Sequence, residues 1–395
     1  MTIDYSGVAA TTDPVRTSER LLRMRRRLRD LHDKRTEGSL MLATWNIRDF
    51  DGNRFGWGPR LPETFYYLAE LCSCFDLIAV QEVNDDLAPL ERLVAILGPG
   101  EWDWLVTDVT EGRAGNGERM AFLYRRSRVT FRHIAGEIVL PDGQLIVGAK
   151  QIEAAEQAAE AAAAAAAAGE QAAEPPEPER RQQFARSPFL VAFQAGWFKF
   201  SLCTVHIYYG DESGAQLQHR VNEIAGLVDF FADRQDDEAR ERKRRAEAAG
   251  AAGHDTRLDV ENYILLGDFN VVSPEHRTMD ALERRGFVVP EQIRGDAITD
   301  RDHFYDQIAV RTKDERFRVL EGGVVDMFAD VFGDDDQPVW GADVTRRDGD
   351  SDDPDEVRSR YQQWRTWQLS DHSPLWIRID TDFADEYLES VGAGG

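Results

Sequence analysis

A chain of 395 residues with 47 Lys plus Arg against 72 Asp plus Glu carries a formal net charge of -25, an acidity that repels polyanions and anionic headgroups at long range. Whole-molecule steering of a phosphate-bearing partner is therefore excluded, and such a partner has to be met by a local cationic patch or a metal ion. No run approaches the roughly 18 apolar residues of a membrane span, and the N-terminus lacks the basic start and apolar stretch of a secretory signal, so the expected location is cytoplasmic.

Residues 1–37 read as an N-terminal extension. Within it, residues 16–35 hold nine Arg or Lys against three acids, and Leu21, Met24, Leu28 and Leu31 share one helical face. This predicts a basic amphipathic helix that either covers the body or reaches for an anionic partner. Short aliphatic and aromatic runs then predict strands at 40–45, 77–80, 120–124, 189–193, 198–205, 263–266, 307–310 and 375–379. Helical spacing over 61–73, 86–97, 215–232 and 278–285 places helices between several of them. The recurrence predicts an α/β fold of packed sheets with helices outside. The three cysteines, Cys72, Cys74 and Cys203, are too few for a disulfide framework, and the Cys72/Cys74 pair lies in an apolar helical pattern that suits core packing. Three segments read as insertions without core structure. Residues 149–183 run through Ala and Glu, with eight consecutive alanines from Ala161 to Ala168 and a Pro-rich close at 174–179. Residues 234–256 are charged and small, and 333–356 concentrate acids at Asp334–Asp336 and from Asp348 to Glu356.

The polar residues that carry information stand at the ends of the predicted strands. Asn46 follows the first, Gln81 and Glu82 the second, His206 the fifth and Gly267-Asp268-Phe269-Asn270 the sixth; Asp306 precedes the seventh and Asp371-His372 the last. One carboxylate beside a strand is usually solvated or a helix cap, but six such placements gather carboxylates, an amide and two imidazoles at one rim. Magnesium takes one or two carboxylates with waters and substrate oxygens, so Glu82 with Asn46 and Asp371 makes a reasonable ligand set, with Mn2+ as the alternative ion. An Asp306–His372 hydrogen bond would fix the imidazole's tautomer and favour its protonated form.

The ordered set Thr44-Trp45-Asn46-Ile47, Val80-Gln81-Glu82-Val83, Gly267-Asp268-Phe269-Asn270, Tyr305-Asp306-Gln307-Ile308 and Ser370-Asp371-His372-Ser373-Pro374 resembles the endonuclease/exonuclease/phosphatase superfamily, which includes deoxyribonuclease I, abasic-site endonucleases and inositol polyphosphate phosphatases. The resemblance implies a four-layer α/β/β/α sandwich of two mixed sheets flanked by helices, with a catalytic domain over 38–381 and a tail at 382–395. It makes Glu82 the main Mg2+ ligand, supported by Asn46 and Asp371. Asp268 and Asn270 would orient the attacking water and phosphate oxygens, and His372, held by Asp306, would act as general base or phosphate-stabilising acid. His206 would be a second imidazole facing the phosphate, and Arg186 in Phe184-Ala185-Arg186-Ser187-Pro188 a phosphate contact. The departure is at Gly115-Asn116-Gly117-Glu118-Arg119, where Asn116 stands in place of the aromatic that packs on a DNA sugar in the deoxyribonuclease I branch. The remaining histidines, His32, His133, His219, His254, His276 and His303, match no motif, though His303 is near enough to Asp306 to line the cleft.

The expected protein is a Mg2+-dependent hydrolase that cleaves phosphodiester bonds by in-line attack of water, first as a nuclease. The alternative is a phosphatase or phosphodiesterase for a small phosphorylated metabolite or lipid headgroup. A non-catalytic interaction module on the same fold is the third reading. The partner is a phosphate ester, nucleic acid included; the sequence assigns no oligomeric state.

Overall fold

Alternation along the first strand sets the layers. Leu40 and Leu42 face one core, whereas Met41, Ala43 and Trp45 face another, so a strand buried on both sides must lie inside a stack. The computed structural model describes residues 3–50, 52, 54–109, 117–168, 181–249, 260–295, 303–344, 350 and 352–393. The strands are β1 Ser39–Phe50, β2 Leu77–Val83, β3 Trp102–Val106, β4 Arg119–Arg125, β5 Thr130–Glu137, β6 Phe189–Ala195, β7 Phe198–His206, β8 Asn262–Asp268, β9 Asp306–Arg311, β10 Val319–Val324 and β11 Leu375–Asp380. They form a six-stranded sheet in the order β10-β11-β1-β2-β4-β3 and a five-stranded sheet in the order β5-β6-β7-β8-β9. Both sheets are mixed and helices flank them, so the fold is the expected α/β sandwich.

The helices are α1 Pro14–Arg27, α2 Arg29–Asp33, α3 Pro62–Cys72, α4 Ala88–Leu97, α5 Ala149–Ala168, α6 Gly214–Ala248, α7 Arg277–Glu283, α8 Gln337–Trp340, α9 Pro354–Gln368 and α10 Ala384–Ala393. Leu21 and Met24 of α1 join α3, α4 and Trp364 of α9 in the core outside the six-stranded sheet. Ile224, Leu227 and Phe231 of α6 join Met279 of α7 in the core that includes the five-stranded sheet. Between the sheets, Gln81 of β2 donates to Thr204 Oγ1 of β7 at 2.8 Å and meets Thr44 of β1, so this amide is satisfied across the interface.

Strand direction explains why the informative residues share a rim. β1 and β2 are parallel, as are β7 and β8, while β11 runs antiparallel to β1 and β9 antiparallel to β8. The C-terminal ends of four strands and the N-terminal ends of two thus fall on one edge. Asp268 pairs laterally with both His206 and Asp306.

The basic N-terminal segment is a cover. Asp13 caps α1 through the Arg16 amide, Pro14 occupies the first turn, and Leu21, Met24 and Leu28 are buried. Its arginines meet acids of the chain itself: Arg16 reaches Asp343 at 2.9 Å, Arg20 reaches Asp336 at 2.7 Å, Arg23 and Arg27 share Asp330, and Arg25 reaches Glu70 at 3.1 Å.

Two of the segments expected to lack core structure carry some. In 333–356, Trp340 is fully buried, lies 4.4 Å from Phe332 ring to ring and receives the Arg16 guanidinium over its face at 3.8 Å. A window dominated by aspartate conceals one indole that fills a cavity. In 234–256, α6 continues to Ala248; buried Gln235 donates to the Glu261 and Arg311 carbonyls, and Glu238–Arg242 and Glu241–Arg245 pairs support the exposed turns. In 149–183 the Ala-rich stretch is a largely exposed helix, and Ile146 and Gln182 form an antiparallel bridge at its base. The Pro-rich close at 174–179 and His254 lie outside the described residues. All three cysteines are buried, and burial raises each thiol pKa, that of Cys74 to about 12, which keeps the sulfurs unreactive. Among the described residues no helix is long and apolar enough to cross a membrane.

Replacing a buried indole by a methyl group leaves a cavity whose lining cannot collapse fully. Trp340→Ala is expected to cost about 3–5 kcal/mol in denaturant unfolding, and exposed Asp335→Ala less than about 0.5 kcal/mol. Equal stabilities of the two variants would contradict the packing role of Trp340.

Candidate active site

The rim holds its polar side chains in strained or over-determined backbone. Glu82, Asn270 and Asp49 have φ of 59°, 51° and 41°, the left-handed region that non-glycine residues avoid at a cost of about 1–3 kcal/mol each. Gly267 has φ 129°, and a Cβ there would stand 2.3 Å from the Val205 carbonyl oxygen, so only glycine lets β8 deliver Asp268 beside β7.

Asn46 joins the two sheets. Its Nδ2 donates to Glu82 Oε1 at 3.0 Å and to Asp268 Oδ2 at 3.1 Å, while its Oδ1 is buried without a hydrogen-bond partner. Glu82 also accepts the Asp49 amide at 2.7 Å, and Asp268 accepts the Asn270 amide at 3.0 Å. An orphaned buried amide oxygen beside a carboxylate is the donor set that a hard divalent cation takes, with waters and substrate oxygens completing the shell. Among the described residues no three His, Cys, Asp or Glu side chains form a metal-binding group. Asp371, expected with Glu82, has a half-exposed side chain that faces Arg48 at 3.6 Å, and no contact joins it to Glu82 or Asn46 among the described residues.

Two imidazoles flank Asp268, each against a carboxylate. His372 Nδ1 lies 2.5 Å from buried Asp306 Oδ2. The loop that carries it is fastened to β1: Trp45 Nε1 donates to the His372 carbonyl at 2.7 Å, and Ser370 Oγ donates to the Asn46 carbonyl at 2.6 Å while accepting the His372 amide. Burial pushes the His372 pKa down, but Asp306, with Asp268 and Asp371 behind it, outweighs this and holds it well above the ordinary value. Asp306 itself is raised by burial, against the pull of His372. His206 Nδ1 lies 3.0 Å from Glu118 Oε2, and its Nε2 lies 3.6 Å from Asp268 Oδ2 and 3.9 Å from Glu82 Oε1. Burial and Arg186 lower the His206 pKa; Glu118 and Asp268 more than restore it, leaving it raised.

Arg186 is half-buried between Glu118 Oε2, 3.1 Å from its Nε, and the His206 carbonyl. Asn270 turns its Nδ2 to the Ile207 carbonyl at 2.7 Å, so it fixes the loop after β7 and leaves Oδ1 for other work. The geometry thus brings together Asn46, Glu82, Asp268, His206 and Arg186, and separately Asp306 with His372; Asp371 stands apart on Arg48.

Four residues of this construction were not singled out from sequence. Glu118 immediately precedes β4 and holds both His206 and Arg186; it stands in the Gly-Glu-Arg stretch noted for Asn116, which itself lies outside the described residues. Asp49 accepts from Asn84 at 2.9 Å and the Arg54 amide at 2.8 Å. Buried Arg220 of α6 donates to the Asn270 carbonyl at 2.9 Å, and Glu223 accepts the Ala185 and Tyr208 amides, clipping the Arg186 loop to the one after His206. Arg220 and Glu223 look like ordinary surface charges in a helical pattern; only the strand ends they reach reveal them. His303 stacks on Tyr305 at 4.6 Å, and Tyr305 lies 5.7 Å from His372 and 6.0 Å from Tyr209, an aromatic wall beside the imidazole.

A family model described as the Endonuclease/Exonuclease/phosphatase family matches residues 43–380. No curated protein sequence matches the chain. Solved structures that match it include the mannosyl-6-phosphatase Bt3783 of Bacteroides thetaiotaomicron VPI-5482, 16% identical over 86% of this chain and 99% of that one with a TM-score of 0.45. A D. rerio TDP2 humanized by 14 mutations is 12% identical over 87% and 100% with a TM-score of 0.46. The human Nocturnin catalytic domain is 11% identical over 87% and 94% with a TM-score of 0.44.

If the carboxylates hold the imidazoles protonated, removing one charge must release the proton. In metal-free protein, Asp306→Asn is expected to lower the His372 pKa and Glu118→Gln that of His206, read from imidazole nitrogen shifts in an NMR pH titration. An unchanged His372 pKa in Asp306→Asn would break the assignment.

Proposed function

The chain belongs to the endonuclease/exonuclease/phosphatase family, and from that premise we propose a Mg2+-dependent phosphoric ester hydrolase whose substrate is a small soluble phosphate ester. The observation that carries the reaction is the pair of imidazole–carboxylate contacts on either side of Asp268, His372 with Asp306 and His206 with Glu118. Glu82 and the orphaned Asn46 Oδ1 would hold the ion, which neutralises phosphate oxygens and stabilises charge on the leaving oxygen. Asp268 accepts a proton from the water that attacks phosphorus in line with the ester oxygen; the P–O ester bond breaks and the departing oxygen takes a proton from solvent. His372 and His206, whose protonated forms their carboxylates favour, donate to the non-bridging oxygens as charge builds there, the role that their raised pKa values favour over proton abstraction. Arg186 adds a fixed positive charge behind His206.

Substrate size follows from charge. The basic helix is the sequence feature that reaches for an anionic partner, and its Arg16, Arg20, Arg23 and Arg25 are engaged with Asp343, Asp336, Asp330 and Glu70. A small ester needs only the cations of the site itself. The aromatic wall of His303, Tyr305 and Tyr209 supports a second reading, a nucleic acid strand whose base stacks beside His372.

Purified protein with Mg2+ is expected to hydrolyse bis(p-nitrophenyl) phosphate or p-nitrophenyl phosphate at a rate that EDTA abolishes and that moderate salt leaves unchanged. His372→Ala and Glu82→Ala should each lose about 10²–10⁴ in kcat. Unchanged rates in both variants would sink the site. Cleavage confined to oligonucleotides, falling steeply with salt, would replace the small substrate by the polymer.

A further inference from the structure

The edge of the sandwich opposite the candidate active site carries a cationic cavity of its own. The α1–α2 junction, the turn after α3 and the end of β4 enclose about 350 Å³ lined by Arg25, Arg29, His32, Arg35, Arg125 and Glu70. An adjoining hollow of about 620 Å³ shares Arg35 and Arg125 and adds Arg128. Asp76 of this edge and Glu82 of the other stand at opposite ends of β2, roughly 20 Å apart at about 3.3 Å per residue, so the cavity is separate from the hydrolytic centre.

Its guanidiniums outnumber the carboxylates that face them. Buried Asp76 presents one oxygen, Oδ1, to three of them, at 3.5 Å from Arg128 Nε, 3.7 Å from Arg125 Nε and 3.9 Å from Arg35 Nε. Glu70 is taken by Arg25 and Tyr5, and Glu101 lies 4.0 Å from Arg125. Asp33 at the end of α2 is the remaining carboxylate that His32 senses. Arg29 is exposed and makes no ion pair among the described residues. In a chain of net charge -25, five arginines against four acids around the two adjoining hollows is a local inversion of sign.

The cavity is also built to stay open. Arg125 is almost fully buried, stacks over Trp102 at 4.5 Å, and donates to the Phe75 and Ser73 carbonyls at 2.8 and 2.6 Å, so its guanidinium is held in place before any ligand arrives. Arg35 donates to the same Ser73 carbonyl at 3.1 Å. Burial first, then Arg35, Arg125 and Arg25, push the His32 pKa down to about 4, so the imidazole is neutral at pH 7 in a field that favours an anion.

We propose that this cavity binds a small multivalent phosphate anion, of the size of inorganic phosphate or diphosphate, between the guanidiniums of Arg29 and Arg35, with the fixed charge of buried Arg125 behind them. Planar guanidiniums match phosphate oxygens in bidentate fashion, and partial burial strengthens each contact relative to water. The site is distinct from the metal-dependent centre and needs no divalent ion.

The test is a titration of inorganic pyrophosphate into the metal-free 395-residue chain in EDTA at pH 7, followed calorimetrically and by the His32 imidazole resonances. Binding should shift the His32 resonances, and Arg35→Gln should weaken it at least tenfold, about 1.4 kcal/mol. Arg35 approaches buried Asp76, so Arg29→Glu, a charge reversal at an exposed residue, serves as the second variant and should weaken binding severalfold with an unchanged Tm. Pyrophosphate that moves only His206 and His372, or that binds Arg29→Glu as tightly as the parent, would overturn the proposal.

Discussion

Asn46 donates to Glu82 on its own sheet and to Asp268 on the facing sheet, and the rest of the rim is arranged around that shared amide. Two carboxylates brought together from different sheets repel. One neutral side chain with two amide hydrogens gives each a hydrogen bond and sets their separation. The left-handed backbone at Glu82 and Asn270 and the glycine before Asp268 are what it takes to aim those groups at one point. Strain of this kind persists only where the surroundings over-determine it. Here the surroundings are the parallel pairs β1–β2 and β7–β8, which cannot shift without breaking their ladders.

Acidity, the first property of the chain, is partitioned in space. Asp330, Asp336 and Asp343 are matched by α1, so a strongly negative segment and a strongly positive one neutralise each other as the N-terminal helix docks. The rim uses the opposite arrangement, in which a neighbouring carboxylate raises the pKa of each imidazole and so favours its cationic form. A phosphate approaching the rim meets donors whose charge depends on the protein's own acids.

The central strands were legible because they are buried on both faces and read as unbroken apolar runs. β1, β2, β4, β6, β7, β8, β9 and β11 all begin or end within a few residues of those runs. β3, β5 and β10 were not, since they stand at or next to sheet edges; β5 is mostly exposed, and β10 carries Gly322-Gly323. The site residues at strand ends were legible for the same reason, as polar residues directly after apolar runs. Glu118 and Glu223 were not, because their partners Arg186 and His206, or Ala185 and Tyr208, are far along the chain. Asp371 shows the converse: a motif neighbour of His372 whose side chain points to Arg48 instead of the carboxylate cluster. Trp340 was hidden by averaging over a window of aspartates.

The bridge between Ile146 and Gln182 gives the Ala-rich arm an anatomical meaning of its own. Two hydrogen bonds of 2.8 Å hold its ends side by side, so the body sees a closed doorway whatever chain passes through it. The entropy of closing such a loop grows only as the logarithm of its length, about 0.6 kcal/mol for each doubling. Lengthening the arm beyond the bridge therefore adds little closure entropy. The same doorway is a natural port for grafting a reporter or a tether onto this enzyme.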